Sequence, residues 1–226
     1  MTSDELYDLF RKDVVDTARP YLWSDEEVWA YMNDAYTMFV RLTGGVPSVT
    51  ADICTIPIAV NEPTAEISDK ILLVRTATRV SDGADIRVIN AQDTMSLNDE
   101  DFGVLRRINV TKSFGKVRYM IIGMERGLVR WVNIPDGNDA VNLLVERLPL
   151  DTISGFGQNF TDVQDHHHIH FLKWMRHLAY NKQDAETFNK AKSDAEQMSF
   201  QQYCEFAKRE KERAKHKVRV VKYGGI

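Results

Sequence analysis

Two amphipathic helices are predicted within the first 45 residues, because apolar side chains recur there every three or four positions. Thr2 with Glu5, and Ser24 with Glu27, have the spacing of capping boxes, which mark helix starts. A glycine pair at residues 44–45 ends the second helix. The apolar positions are Leu6, Leu9, Phe10 and Val14 in the first helix, and Val28, Met32, Ala35, Phe39 and Leu42 in the second.

From residue 46 the pattern changes to short apolar runs bounded by turn residues, which is typical of β-strands. The tripeptide Glu125-Arg126-Gly127 separates two of these runs and predicts a hairpin turn. We therefore expect an antiparallel β-domain of about five to seven strands, a number within the usual range for sheets. The predicted strands cover residues 53–58, 71–75, 86–89, 117–124, 128–134 and 140–145.

The last third of the chain returns to helical periodicity. One helix is predicted to begin near Thr161 and to end at Tyr180, and a longer one to run from Asp184 towards His216. After that helix, residues 218–223 alternate like a strand. The apolar side of the first helix is Val163, His167, His170, Phe171, Trp174 and Leu178, and that of the second is Phe188, Ala191, Ala195, Met198, Tyr203 and Phe206.

These elements predict a fold class. Short amphipathic helices are marginal alone and gain most of their stability from packing, so the helices from the two ends of the chain are expected to pack on each other. The sequence therefore predicts an α+β protein, in which N- and C-terminal helices form an antiparallel helical bundle with an inserted antiparallel β-domain. The predicted boundaries are 1–45 and 158–216 for the bundle, 46–157 for the β-domain, and 217–226 for an extended C-terminal tail.

Composition excludes several classes of protein. The hydrophobic fraction of 43% is that of a globular chain, and no apolar run approaches the roughly 20 residues of a membrane helix. The start of the chain is acidic and lacks the layout of a signal peptide. Cys54 and Cys204 are far apart and form no CxxC pair, so two free thiols in a reducing compartment are expected. A soluble cytosolic protein with no membrane partner is predicted.

Charge divides the chain unevenly. Residues 207–226 hold eight basic and two acidic side chains, a net charge of +6, whereas the whole chain carries −4 and the other residues therefore −10. Because this segment is positively charged and the rest of the chain is negatively charged, the pattern favours docking of the segment onto an acidic partner or a neighbouring copy. The predicted interface residues are Lys208, Arg209, Lys211, Arg213, Lys215, Lys217, Val218, Arg219, Val220, Val221, Lys222 and Tyr223.

The strongest candidate for chemistry is the run His166-His167-His168-Ile169-His170. On a helix, His166 and His170 are one turn apart and could reach one Zn²⁺ or Ni²⁺, with Asp162 as a third ligand. The HExxH pattern with its general base is missing, and an exposed helix start with one or two packed histidines is the favoured interpretation. The sequence also lacks GxGxxG, P-loop and GxSxG motifs. We therefore expect no native metal, no cofactor and no enzymatic activity.

Both helical flanks carry short motifs that resemble one family. The motifs are Leu22-Trp23-Ser24-Asp25-Glu26-Glu27-Val28, Tyr31-Met32-Asn33-Asp34-Ala35, and Leu178-Ala179-Tyr180-Asn181-Lys182-Gln183-Asp184-Ala185-Glu186-Thr187-Phe188. Through them the chain is similar to the head-to-tail adaptor proteins of tailed bacteriophages (neck or head-completion connectors), especially the short-tailed kind. Where that family often has Pro-Glu-Tyr-His before the closing helix, this chain has Val163-Gln164-Asp165-His166.

The resemblance implies a structural role in the virion. Family members form an oligomeric ring, typically dodecameric, that docks under the portal protein, joins it to the tail nozzle or tube, and retains the packaged DNA that passes through its lumen. The chain would then be found in the virion neck, and in the host cytoplasm during assembly. The C-terminal segment of such proteins commonly reaches into the portal, so deleting residues 208–226 is expected to abolish docking without unfolding the protein.

Alternative functions remain open from the sequence. The chain could be another tail-completion or tube protein of a phage. It could be a nucleic-acid-binding module that acts through the basic C-terminal segment, in which case DNA binding by the free monomer would be strongly salt-dependent. A metal-dependent enzyme built on the histidines is the remaining alternative.

Overall fold

The computed structural model describes residues 1–92, 99–107, 113–183 and 187–215. It divides into two compact units, one made of Met1–Gly45 with the described residues from Pro149 onward, the other of Val46–Leu148. The α-helices are α1 (Ser3–Asp13), α2 (Asp25–Leu42), α3 (Asp99–Arg107), α4 (Asp165–His168), α5 (Phe171–Tyr180) and α6 (Lys190–Lys215). The strands are β1 (Val46–Ser48), β2 (Thr55–Ile58), β3 (Thr64–Glu66), β4 (Ile71–Arg79), β5 (Asp85–Asn90), β6 (Tyr119–Ile122), β7 (Leu128–Val132) and β8 (Asp139–Arg147).

The second unit is built on one eight-stranded sheet with the order β1-β8-β4-β5-β6-β7-β3, and β2 also pairs with β8. The pairs are antiparallel except for β5 and β6, which are parallel. A parallel pair needs a crossover connection, and helix α3 lies within it. This helix is tied to both strands, because Arg87 of β5 donates a hydrogen bond to Asp101 at 3.0 Å and Tyr119 of β6 donates one to Glu100 at 2.7 Å.

The connection between β2 and β3 requires the sheet to curl. Along the strand order, β2 and β3 are six strand spacings apart, or about 29 Å in a flat sheet. Only five residues separate Ile58 from Thr64, and a chain of that length spans at most about 21 Å. The sheet therefore curls into a half-barrel, which brings β2 and β3 together and encloses an apolar core. That core includes Cys54, Ile56, Ile58, Val74, Ala77, Ile86, Met120, Val129, Trp131, Val141, Leu143 and Val145.

The predicted fold class is wrong. The protein is a mixed α/β protein with an eight-stranded curled sheet, and not a helical bundle carrying a small antiparallel β-domain. The error has a physical origin: strand periodicity reports which side of a strand is buried, and it contains no information about which strands become neighbours. The parallel β5–β6 pair was missed for this reason, and helix α3 was not predicted. The hairpin at Glu125-Arg126-Gly127 was predicted correctly, with β6 and β7 antiparallel and Gly127 at φ 71°.

Both predicted helix starts in the first unit are confirmed. The Thr2 side chain accepts a hydrogen bond from the Glu5 backbone N–H, and the Glu5 carboxylate accepts one from the Thr2 N–H. Ser24 and Glu27 make the same reciprocal pair at the start of α2. Each box satisfies two backbone donors that have no partner within the helix.

Aromatic side chains form the centre of the helical unit. Tyr36 of α2 packs edge-on against Phe160, with ring centroids 5.3 Å apart, and Phe160 packs against Phe171 of α5 at 5.2 Å. Phe39, one turn after Tyr36, lies 5.5 Å from the same Phe171 ring. The three phenylalanines and Tyr36 are almost fully buried, so their burial and edge-to-face contacts hold α2 and α5 together.

A buried ion pair fixes the segment between α1 and α2. The Arg11 guanidinium contacts the Asp16 carboxylate, donates to the Trp23 carbonyl at 2.7 Å and lies 2.8 Å from the Asp25 carboxylate. The side chains of Arg11 and Asp16 are only 6% and 2% exposed. Asp16 also accepts a hydrogen bond from the backbone N–H of Leu22 at 2.9 Å. The ion pair therefore anchors the residues that lead into α2 to the end of α1.

Removing the Asp16 carboxylate is expected to destabilise the protein strongly. Asp16→Ala leaves Arg11 with Asp25 as its remaining carboxylate partner and leaves the Leu22 N–H without its acceptor. Such losses typically cost about 2–3 kcal/mol in the free energy of unfolding. Urea denaturation followed by circular dichroism measures the effect. Asp8→Asn on the exposed side of α1 is the matched control and should change the free energy by less than about 0.5 kcal/mol. Equal midpoints for the two variants would contradict the role given to the ion pair.

Candidate docking surface on helix α6

Helix α6 is 26 residues long, which corresponds to about 39 Å. One narrow stripe of it is buried, at Ser193, Phe200, Cys204 and Ala207. These positions are spaced by seven, four and three residues, so they lie above one another on a single face. The buried stripe of α6 therefore consists of small side chains and one phenylalanine.

The first half of the buried stripe packs against α5. The Phe200 ring lies 5.1 Å from the Trp174 ring, and the Ser193 hydroxyl donates to the His177 carbonyl at 3.0 Å. His177 Nδ1 in turn lies 3.0 Å from the Ser193 carbonyl oxygen. At the edge of the contact, Arg176 donates to Glu196 at 3.0 Å. Apolar and polar contacts thus seat α6 against α5 in one register.

The second half of the stripe is held by Tyr203. Its ring stacks on His170, with centroids 3.4 Å apart, and its hydroxyl lies 2.8 Å from His167 Nδ1. Further along, the Lys211 ammonium donates a hydrogen bond to the Gly45 carbonyl. Contacts to the same unit therefore continue to within four residues of the end of α6.

The opposite face of α6 exposes apolar side chains. Met198 and Phe206 are 60% and 59% exposed, and Ala191 and Ala195 are exposed on the same side. Met198 is two residues from buried Phe200, a rotation of about 200° around the helix axis. We call Ala191, Ala195, Met198 and Phe206 the outer stripe. The expectation that these residues form the core side of the helix is wrong, and only Tyr203 of that predicted set is partly buried within α6.

The structure describes part of the predicted basic interface. Lys208, Arg209 and Arg213 are exposed on α6, and Lys211 is partly buried by its contact with Gly45. Lys215 is the last residue of the helix. The predicted interface residues Lys217, Val218, Arg219, Val220, Val221, Lys222 and Tyr223, and with them the predicted tail 217–226, lie outside the described residues.

An acidic segment belongs to the same unit as these cations. Residues 1–45 hold nine carboxylates and four basic side chains, a net charge of −5. Asp8 on α1 and Glu26 on α2 are exposed members of this set. A hydrogen bond from Tyr7 and the neighbouring Arg11 hold the pKa of the Asp25 carboxyl below its usual range despite partial burial. The helical unit thus contains an acidic segment, residues 1–45, and exposed cations on α6, and the two are complementary in charge.

The histidine run lies against α6. Burial, together with Lys173 and His167, lowers the pKa of His170 to about 4, and burial also lowers the pKa of His167. The structure does not group His166 with His170 as potential ligands. Instead, the potential ligands are His166, His167 and Glu210. Each offers one ligand atom, and these three atoms lie within 4.8 Å of one another. Glu210 was not predicted, because it is 43 residues from His167 and only the packing of α6 brings it there.

Comparisons with known proteins leave the resemblance to phage adaptors as a hypothesis. No protein-family model matches the chain, and no curated protein matches it in sequence. In the described part of the chain, no helix combines the length and the apolar character needed to cross a membrane.

The Cys204 thiol should report whether α6 is seated as described. Cys204 is 1% exposed, and burial raises its pKa to about 12, so both access and thiolate formation are suppressed. In a Cys54→Ser background, a thiol reagent at pH 8 is expected to react at least ~100-fold more slowly with the native protein than with the urea-unfolded protein. Phe200→Ala should accelerate the native reaction, whereas Met198→Ala should not. Fast labelling of the native protein would contradict the seating of α6.

Proposed function

We propose that this chain is a structural subunit of the head-to-tail adaptor of a tailed bacteriophage, which assembles into a ring between portal and tail and helps to retain the packaged DNA. The observation that carries the proposal is the outer stripe of α6. One face of this helix is packed against its own unit, and the opposite face presents Met198 and Phe206 to solvent. Aligned apolar side chains of this kind are typical of surfaces that are covered by a partner.

The occupant that we propose for the outer stripe is a second copy of the chain. The stripe continues into the exposed cations Arg209 and Arg213, and residues 1–45 of a neighbouring copy supply a net charge of −5. The two surfaces are different parts of the same molecule, so the contact is heterologous. A repeated heterologous contact closes into a ring when its rotation permits, as an adaptor requires.

The partners above and below the ring are proposed from the sequence motifs. The Trp23-Ser24-Asp25 and Ala179-Tyr180-Asn181 motifs resemble those of adaptors that dock under a portal protein. The basic C-terminal residues beyond α6 would steer the encounter with portal, and the apolar side chains among them would anchor it. The tail nozzle or tube would bind the other side of the ring, and DNA would pass through the lumen.

Charge on the outer stripe is expected to prevent assembly. Met198→Asp and Phe206→Asp place a carboxylate where an apolar contact is proposed, and each should shift at least about 90% of the chain from ring to monomer under conditions where the wild type assembles on portal. Electron microscopy and mass photometry of the chain mixed with the portal protein encoded in the same genome measure this. The expected wild-type result is a ring, typically of twelve copies, on the portal.

The matched control for these variants is Gln201→Asp. Gln201 is exposed on α6 and lies about 60° around the helix axis from Met198 and about 140° from Phe206, so the new charge lies beside the outer stripe and not on it. It should leave assembly unchanged. Rings formed equally well by all three variants would overturn the proposed contact. Strongly salt-dependent DNA binding by the wild-type monomer, without a portal-bound ring, would instead favour the nucleic-acid-binding alternative.

Truncation after residue 215 should separate portal docking from folding. Deleting residues 208–226 would also remove the Lys211 contact with Gly45, whereas deleting 216–226 retains every contact described above. The shorter deletion is expected to weaken portal binding at least ~10-fold and to leave the melting temperature within about 2 °C of the wild type, since it removes none of the contacts described above. Sedimentation with portal and thermal unfolding give the two readings. Full portal binding by the truncated chain would contradict a docking role for these residues.

A further inference from the structure

We propose that His166, His167 and Glu210 form a binding site for one divalent transition-metal ion, with Zn²⁺ as the best match. This inference concerns the purified chain alone and does not depend on the proposed role in the virion. It also differs from the predicted set of His166, His170 and Asp162, because His167 takes the place of His170, and Glu210 from another helix takes the place of Asp162.

The geometry of the three side chains fits a single ion. Each residue offers one ligand atom, and these atoms all lie within 4.8 Å of one another. Ligands of a tetrahedral zinc ion with bonds of about 2.1 Å are roughly 3.4 Å apart, so the distances between the ligand atoms need to shorten by at most about 1.4 Å. His166 and Glu210 are exposed and can make that movement by side-chain rotation, while His167 is partly buried and stays in place.

Surrounding side chains orient the imidazole ring of His167. His167 Nδ1 lies 2.8 Å from the Tyr203 hydroxyl, and the imidazole ring packs 5.1 Å from the Phe39 ring. A hydrogen bond on one ring nitrogen fixes the ring and directs the other nitrogen to a metal, as in most protein metal sites. Tyr203 therefore acts as a positioning residue for His167.

The ligand chemistry favours zinc over the hard cations. Two imidazoles with one carboxylate suit Zn²⁺ and its neighbours in the first transition series, whereas Mg²⁺ and Ca²⁺ prefer oxygen ligands only. Three protein ligands leave one tetrahedral position for water. Because two of the three ligands are exposed, an ion can enter from solvent without any opening of the fold.

Binding of an ion would join two elements that are distant in sequence. His166 and His167 belong to α4, and Glu210 lies near the end of α6, one residue before Lys211. The ion would hold the last turns of α6 against α4, immediately before the basic C-terminal residues. A ligand that binds only the folded chain also stabilises it by mass action.

The experiment uses the full chain without an affinity tag, after dialysis against chelator and then metal-free buffer. Titration calorimetry with ZnCl₂ is expected to show one ion per chain with a micromolar dissociation constant, and saturating Zn²⁺ should raise the melting temperature. Co²⁺ gives an independent reading, because tetrahedral coordination produces strong visible absorption. His166→Ala and Glu210→Gln should each weaken Zn²⁺ binding at least ~10-fold and abolish the Co²⁺ spectrum.

The matched control is Glu212→Gln, which removes an exposed carboxylate two residues further along the same helix. It should bind Zn²⁺ with wild-type affinity, and circular dichroism should show that all variants fold. The proposal is overturned if the wild type binds no ion at 100 µM ZnCl₂, a concentration of about 100 times the expected constant. It is equally overturned if Glu210→Gln and Glu212→Gln bind Zn²⁺ alike.

Discussion

The packing of α6 against α5 is the interaction on which the proposed docking surface depends. Phe200 inserts beside Trp174, and Ser193 and His177 exchange polar contacts next to it. This contact determines which face of α6 is buried within its own molecule. Because Phe200 and Cys204 are buried, helical geometry places Met198 and Phe206 on the exposed face. The proposed docking surface is thus a direct consequence of how α6 packs within its own unit.

Features encoded by neighbouring residues could be predicted from the sequence, and features that depend on long-range pairing could not. The capping boxes at Thr2 and Ser24 need only a polar side chain and a glutamate three positions later. The hairpin around Gly127 is equally local. The parallel β5–β6 pair and the curl of the sheet are set by contacts between distant segments, and no local pattern reports them. The fold class was wrong for that reason, although most strands were located.

The candidate site shows the same limit in a different form. The buried face of α6 was predicted from its largest apolar side chains. The residues that are buried are Ser193, Cys204 and Ala207 together with Phe200. Small side chains allow two helices to approach closely, so size is a poor guide to burial at such a contact. The histidine run was noticed as a possible ligand set, but its acidic member, Glu210, comes from a helix whose position only the tertiary structure provides.

The sequence order of the two units has a consequence for biosynthesis. The unit that bears α6 begins with residues 1–45 and is completed only after Pro149, with the 103 residues of Val46–Leu148 between the two parts. At typical elongation rates of about 5–20 residues per second, a ribosome needs roughly 5–20 s to translate that interval. A nascent chain therefore lacks the proposed association surface until α6 has been synthesised, which delays the proposed contact between copies until both parts of this unit exist.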